Sequence, residues 1–369
     1  MSLFKRSAVS EILSHAGVVL STLLIVWLSV LLVRLVGDAA SGSIGADVVL
    51  GMALFSTITA LPVILSASLF IAVLTTITRT FRDSEMVVWY ASGLSLRSWI
   101  APILRCAIPV AIIISLLTFF ASPWAYRQIS EYRQRFELRS DLSKVTVGQF
   151  VEVEQGARVF FTEAPTNDED ELGNVVARVI DPNWFSVITA QSAHVETEEN
   201  GDRFLVLNEG HRYDMQPQSP LFRITDFERY GVRLESKDDM SSPEQIRLQA
   251  LQQIKARPNA QLVNDGTSEA RAQLMWRSAM PIAALNLALL ALPLGAVNPR
   301  LGKSGNLLIA GLLALLYMNL INLSRGWISS GVLSFTVGIG LVHAVFAALT
   351  VLLLWYKTRV KAPKSASSP

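Results

Sequence analysis

Apolar residues fall into six long runs, about 16–36, 50–77, 100–121, 280–297, 307–323 and 332–356. As a helix, each run is long enough to cross a hydrocarbon core of about 30 Å. Three runs precede and three follow a stretch from Lys144 to Glu235 in which the pattern changes to alternation. There Val145, Val147, Val151 and Val153 share one parity, and Phe222, Ile224, Tyr230, Val232 and Leu234 share another. The turn signals Glu154-Gln155-Gly156, Asp181-Pro182-Asn183 and Glu199-Asn200-Gly201-Asp202 separate the runs. The pattern predicts six to nine short strands in a sandwich or curled sheet with one apolar face.

Helical connectors flank this insert. Trp124 to Leu142 reads as a charged helix leaving the third span. On the return, Ser242-Pro243-Glu244-Gln245 places an N-cap serine before a first-turn proline, with glutamine three residues after the cap, so a helix starts there. Asn259 to Ser268 reads as a polar break before Met275-Trp276-Arg277 re-enters the apolar region, with the tryptophan at the interface. The expected organisation is residues 1–121 with spans one to three, a connector over 122–143, the β domain over 144–235, a connector over 236–275, spans four to six over 276–357 and a tail over 358–369.

Composition agrees with spanning helices. Hydrophobic residues make up 51%, charged residues 17%, and mean hydropathy is +0.39, too apolar for a soluble chain of this length. Lys5 and Arg6 followed by an apolar run have the order of a signal peptide, with Asp38-Ala39-Ala40-Ser41 as a cleavage-like site. The run is about twice an ordinary signal core, however, and carries Arg34, which favours a retained anchor. The single cysteine, Cys106, lies inside an apolar run and reads as a buried structural thiol.

A net charge of +2 identifies no partner; its distribution orients the chain. Lys5 and Arg6, then Arg79, Arg82 and Arg97, then Arg300 and Lys303, and the tail from Lys357 are basic, whereas residues 37–47 hold no lysine or arginine. By the positive-inside rule both termini are cytoplasmic and the β insert faces outward.

Candidate chemistry is sparse. Gly302-Lys303-Ser304 resembles the end of a phosphate-binding loop, but the required earlier glycine is Val297 and a spanning helix precedes it, so a basic loop is the better reading. His15, His194, His211 and His343 lack ligand spacing. No catalytic pairing of carboxylates, or of serine with histidine, is recognised in the outward insert or at a helix end, so the chain is not expected to be an enzyme by itself. The loop from Arg79 to Leu96 predicts a short amphipathic helix, over about 80–96, with Met86, Val87 and Tyr90 on one face and Arg82, Asp83 and Glu85 near its start. Acidic residues there suit the helix dipole; they equally suit a peg that meets a basic group on a cytoplasmic partner.

The chain resembles the lipopolysaccharide-export permease family, the paired LptF and LptG subunits of an ABC transporter. The resemblance covers essentially the whole sequence. It rests on Leu32-Val33-Arg34-Leu35-Val36-Gly37, on Asp83-Ser84-Glu85-Met86 with Ala91-Ser92-Gly93-Leu94-Ser95, on Gly148-Gln149-Phe150, on Phe222-Arg223-Ile224-Thr225-Asp226-Phe227, and on Pro293-Leu294-Gly295-Ala296-Val297-Asn298-Pro299-Arg300. The lone Arg34 and the Phe222–Phe227 motif look more like the LptF side of the pair. The resemblance implies six transmembrane helices carrying a periplasmic β-jellyroll between helices 3 and 4, in the bacterial inner membrane. Its implied partners are a paralogous LptG-like permease subunit, a cytoplasmic ATPase dimer, periplasmic β-jellyroll bridge proteins and lipopolysaccharide, with no nucleic acid and no cofactor in this chain.

By the same resemblance Glu85, with Arg82 and Asp83, serves coupling to the ATPase, and Arg34 meets the lipid A phosphates. A charge at the bilayer centre costs about 2.5–3.5 kcal/mol on insertion scales, but an arginine near a helix end snorkels, so Arg34 is tolerated without a ligand. Phe150, Val151, Val153, Phe222 and Ile224 are the candidates for an acyl-chain groove, although a dry sheet core gives the same alternation. Arg223 and Arg229 fall on the opposite parity, where a solvated face is the simpler reading. A passive periplasmic scaffold remains an alternative. A secondary transporter is weaker, since ion or proton coupling usually needs an Asp, Glu or His within the spans and His343 is the only one there.

Overall fold

The computed structural model describes residues 3–41, 44–137, 150–153, 158–163, 173–180, 184–197, 203–216, 220–235, 243–296 and 304–359. The chain divides into two compact units, Met1–Ser130 with Gln249–Pro369, and Glu131–Leu248.

The helices are α1 (Leu3–Ala40), α2 (Val49–Arg82), α3 (Glu85–Ala91), α4 (Ile100–Leu116), α5 (Ser122–Glu137), α6 (Pro243–Ala250), α7 (Asn259–Asp265), α8 (Ser268–Gly295), α9 (Ser304–Ser329) and α10 (Phe335–Thr358); all lie within the first unit except α5, which passes into the second at Glu131, and α6, most of which belongs to the second. Six helical segments, formed by α1, α2, α4 with α5, α8, α9 and α10, are long and apolar enough to cross a membrane. The charged helix after the third span is not a separate element. It continues α4 through a π-helical turn at Leu117–Ala121 into α5. A π turn disturbs the ladder of backbone bonds, and Asn259 Nδ2 donates to the Phe119 carbonyl at 2.7 Å.

α8 is the centre of the bundle. Its buried face is rich in alanine (Ala279, Ala283, Ala284, Ala288, Ala291), and small residues let neighbouring backbones approach closely in a spanning bundle. One close approach is at Gly295, where an added Cβ would lie 2.9 Å from Ile77 Cβ and 3.1 Å from the Leu74 carbonyl oxygen of α2. Cys106 is buried in the same core. α1 joins that core only near its start, through Phe4, Ala8 and Ile12; farther along, Val18, Ile25, Val26, Val30, Val33 and Val36 are exposed.

The expected polar break at Asn259–Ser268 is instead α7, followed by Gly266 in the left-handed conformation and Thr267, whose hydroxyl caps α8 by accepting from the Ala270 amide at 3.2 Å. Polar residues do not bar a helix that ends on a left-handed glycine. Arg277 is 1% exposed, with its guanidinium donating to Asn259 Oδ1 (2.5 Å) and to the carbonyls of Lys255 (3.1 Å) and Arg257 (2.9 Å). A buried cation is held here by neutral oxygens at an otherwise irregular turn.

The second unit holds one antiparallel sheet, β1 (Phe150–Val153), β2 (Arg158–Thr162), β3 (Val175–Ile180), β4 (Phe185–Thr197), β5 (Arg203–Met215) and β6 (Phe222–Glu235), in the order β1-β2-β3-β4-β5-β6. Every strand pairs with its neighbour in sequence, so the three turn signals each fall between paired strands; the turns themselves, and Val145 and Val147, lie outside the described residues. The core consists of Val175, Ala177, Ile188, Ala190, Ala193, Leu205 and Leu207, with Phe227, Tyr230 and Val232 packed against it.

That core does not keep one parity. On β4 it passes from Ile188 and Ala190 to Ala193, and on β6 from Phe227 to Tyr230. The change falls where the ladder skips Gln191, Glu209 and Glu228, between Ala190↔Gly210 and Ser192↔Asn208 on one side and Gly210↔Phe227 and Asn208↔Arg229 on the other. Glu209 there has φ +47°, a left-handed conformation uncommon for a residue with a side chain. An extra residue in each strand keeps the apolar side chains on one side of the sheet while shifting their parity. Phe222 and Ile224 therefore do not share a face with Tyr230 and Val232, as simple alternation predicts. Gly210 sits beside this line, where a Cβ would stand 2.1 Å from the Thr189 carbonyl oxygen and 2.6 Å from the Phe227 ring, so no side chain fits.

Candidate functional sites

Following the ladder outward from β6 assigns the two faces. Phe222 is opposite Met215, which is opposite Phe185, which is opposite Ile180; Ile224 is in register with Tyr213, Val187 and Arg178. These rows lie on the face away from the core. Phe222 is 56% exposed and Ile224 57%, and Ile180, Met215 and Val176 on the same face are exposed as well. Phe150, opposite Phe161 and through it Val176, falls on this face by register. Val151 and Val153 take the other rows, in register with Ala177 and Ser186 respectively. Of the five groove candidates, Phe222 and Ile224 are thus exposed on the face away from the core, and Phe150, Val151 and Val153 lie on β1. The exposed face carries a broad band of large apolar side chains, which a soluble domain rarely leaves uncovered.

Across the sheet, polar groups close one end of the core. Arg212 Nε donates to Asp214 Oδ1 at 2.7 Å, one terminal nitrogen donates to the Tyr230 hydroxyl at 2.5 Å and the other to Ser186 Oγ at 3.2 Å; Ser186 Oγ donates to Asp214 Oδ1 at 2.6 Å. Burial pushes the Asp214 carboxyl up, but the Ser186 and Arg212 hydrogen bonds and the Arg212 charge outweigh it and hold the group below the usual carboxylate range. Arg223 lies over the Trp184 ring at 5.0 Å, and Arg229 is exposed and pairs with Glu196.

The second site is the turn between α2 and α4. The helix begins at Glu85 rather than near residue 80, because Ser84 adopts the left-handed conformation (φ 60°) and separates α3 from α2. Its faces also differ from the expected set. Met86 is buried and Trp89 packs on the core, whereas Val87, Val88 and Tyr90 are exposed. Arg79, at the end of α2, gathers three carboxylates: Nε reaches Glu11 Oε1 at 2.6 Å, and the terminal nitrogens reach Glu85 at 3.0 and 3.2 Å and Asp83 at 3.5 Å. Arg82 Nε pairs with Asp83 at 3.2 Å. Glu85 nevertheless stays 43% exposed.

Arg34 is exposed on α1, with no ion pair among the described residues. His343 is buried, its Nδ1 2.5 Å from the Tyr317 hydroxyl, which also accepts from Asn286 Nδ2 at 2.9 Å. This ties α8, α9 and α10 together. Among the described residues no three His, Cys, Asp or Glu converge to hold a metal ion.

The profile of the lipopolysaccharide export system permease LptF/LptG family matches residues 6–356. The chain belongs to this family. As an LptF/LptG permease it is a multi-pass membrane protein, with the antiparallel sheet inserted between the third and fourth spanning helices. Curated relatives include the lipopolysaccharide export system permease proteins LptF of Escherichia coli (strain K12) and of Shigella flexneri, each 28% identical over 370 residues, covering 98% of this chain and 98% of the relative. The motif residues Asp83, Glu85, Phe222 and Ile224 occupy exposed positions in this LptF/LptG fold; Arg79 and Glu11, 68 positions apart, carry no local signal of their pairing.

Proposed function

We propose that this chain is the LptF-like half of a permease heterodimer that extracts lipopolysaccharide from the outer leaflet of the inner membrane and passes it along its periplasmic β domain to a periplasmic bridge, driven by a cytoplasmic ATPase dimer. The observation that carries the reading is the apolar face of the sheet. Phe222, Ile224, Met215, Ile180 and Val176 stand exposed opposite the sheet's own core, a surface suited to acyl chains and ill suited to water. The basic cytoplasmic loops support an outward-facing insert. The long uncovered apolar side of α1 supports a paralogous LptG-like partner beside it, and Arg34 near its outward end supplies a cation for lipid phosphates. At the opposite end, exposed Glu85, Val87 and Tyr90 form the peg for the ATPase, with Arg82 and Asp83 at its base. A photocrosslinker at Ile224, in the assembled complex, is expected to capture lipopolysaccharide only with hydrolysable ATP; an intact complex yielding no adduct there overturns the reading.

A further inference from the structure

Glu85 does not stand alone at the peg. Glu11, Asp83 and Glu85 are three carboxylates against the two guanidinium groups of Arg79 and Arg82, leaving one negative charge uncompensated at a half-exposed site. Such a surplus favours a basic group on whatever docks there. Arg79 is the shared member. Its fork grips both oxygens of Glu85 while its Nε holds Glu11 of α1, so one side chain joins the peg helix α3, the end of α2 and the first span. A parallel apolar contact runs the same way, with the rings of Phe4 of α1 and Trp89 of α3 5.0 Å apart and edge-on. One turn farther along the α1–α2 seam, His15 Nδ1 is 2.9 Å from Thr76 Oγ1. The left-handed Ser84 holds Glu85 directly beneath Arg79.

We infer that Arg79 is a positioning residue of the coupling site: it presents Glu85 to the ATPase and, through Glu11, carries the displacement of the peg into the first transmembrane helix. This rests on the reading of Glu85 as the coupling carboxylate. When a basic group of the ATPase takes Glu85, Arg79 keeps Glu11 and Asp83, so its charge stays compensated and its link to α1 survives the exchange. Asymmetry is the useful feature here. Glu11 belongs to a different helix, whereas Asp83 belongs to the same turn as Glu85.

The test is performed on the full permease pair with its ATPase in proteoliposomes, measuring lipopolysaccharide released and ATP hydrolysed in the same sample at matched complex yield. Arg79→Ala is expected to lower lipopolysaccharide released per ATP by about fivefold, the low end of couplings between linked sites. Arg79→Lys is expected to recover part of it, since an ammonium keeps the charge and loses the fork. Glu11→Gln, which leaves Arg79 on Glu85, is expected to lower the same ratio while ATP hydrolysis continues. A merely structural role would reduce complex yield and leave the ratio unchanged. Wild-type ratios for both Arg79→Ala and Glu11→Gln overturn the inference, and if Arg79→Ala does not assemble, Glu11→Gln alone decides. Glu85→Arg separates the two levels: release that survives it overturns the coupling reading itself, whereas failed release with Glu85→Arg beside normal release with Arg79→Ala overturns only the role of Arg79.

Discussion

Asp214→Ala removes the acceptor at the centre of the polar cluster in the sheet. Asp214 is buried and accepts from Ser186 at 2.6 Å and Arg212 at 2.7 Å. Breaking a buried pair by deleting one partner costs about 3–5 kcal/mol, because the other charge is left uncompensated. The Arg212 side chain is 25% exposed and keeps Tyr230 and Ser186 as acceptors. Water and these neutral oxygens therefore relieve part of the penalty, and the expected loss is about 2–3 kcal/mol. At 1.36 kcal/mol per decade this is about 30- to 150-fold faster amide exchange in β4 and β5, read by hydrogen–deuterium exchange on the full chain in detergent. Asp214→Asn retains an acceptor and is expected to lose less. The carboxyl's folded pKa is depressed, so its stabilisation is fully present above the unfolded value of about 3.9 and disappears as pH falls through the lower folded value. Exchange rates changed by less than about threefold at neutral pH, or a contribution that grows on acidification, would refute the reasoning.

Two further outcomes concern the helical bundle. Gly295→Leu forces a side chain into the α2–α8 contact beside Ile77 and the Leu74 carbonyl and is expected to cost at least about 1–3 kcal/mol; Gly311→Leu, where nothing lies within 4 Å, is the matched control, and equal melting temperatures for the two in detergent would contradict the packing. Tyr317→Phe strips the hydroxyl from Asn286 and His343, and a loss of about 0.6–2 kcal/mol is expected from interhelical bonds of this kind, seen as a lower melting temperature with unchanged assembly.

The spans were legible because a bilayer demands long apolar runs, and the sheet because alternation and turn residues recur. Faces within the sheet were not. Parity counting assumes a regular strand, and no residue type announces that Glu209 takes a left-handed conformation and that Gln191 and Glu228 follow it out of the ladder. That one irregularity separates Phe222 and Ile224 from Tyr230 and Val232. The peg shows the same limit. Glu85 stood out through its neighbours, but the guanidinium that holds it and the carboxylate behind that guanidinium come together only when α1 packs on α2. Arg277 carried no local signal of its burial, because the three oxygens that accept from it, on the preceding turn and on α7, lie about 20 positions earlier in the chain.

The central claim is that lipid travels along one face of the sheet, and a comparison of two adjacent positions tests it most directly. Photocrosslinkers are placed at Ile224 and at Thr225, both exposed but on opposite faces, in membranes holding the complete transporter and lipopolysaccharide. Adducts at Ile224 that require ATP hydrolysis and far exceed those at Thr225 are the predicted result. Equal labelling from both faces, or labelling at Ile224 indifferent to ATP, would contradict it.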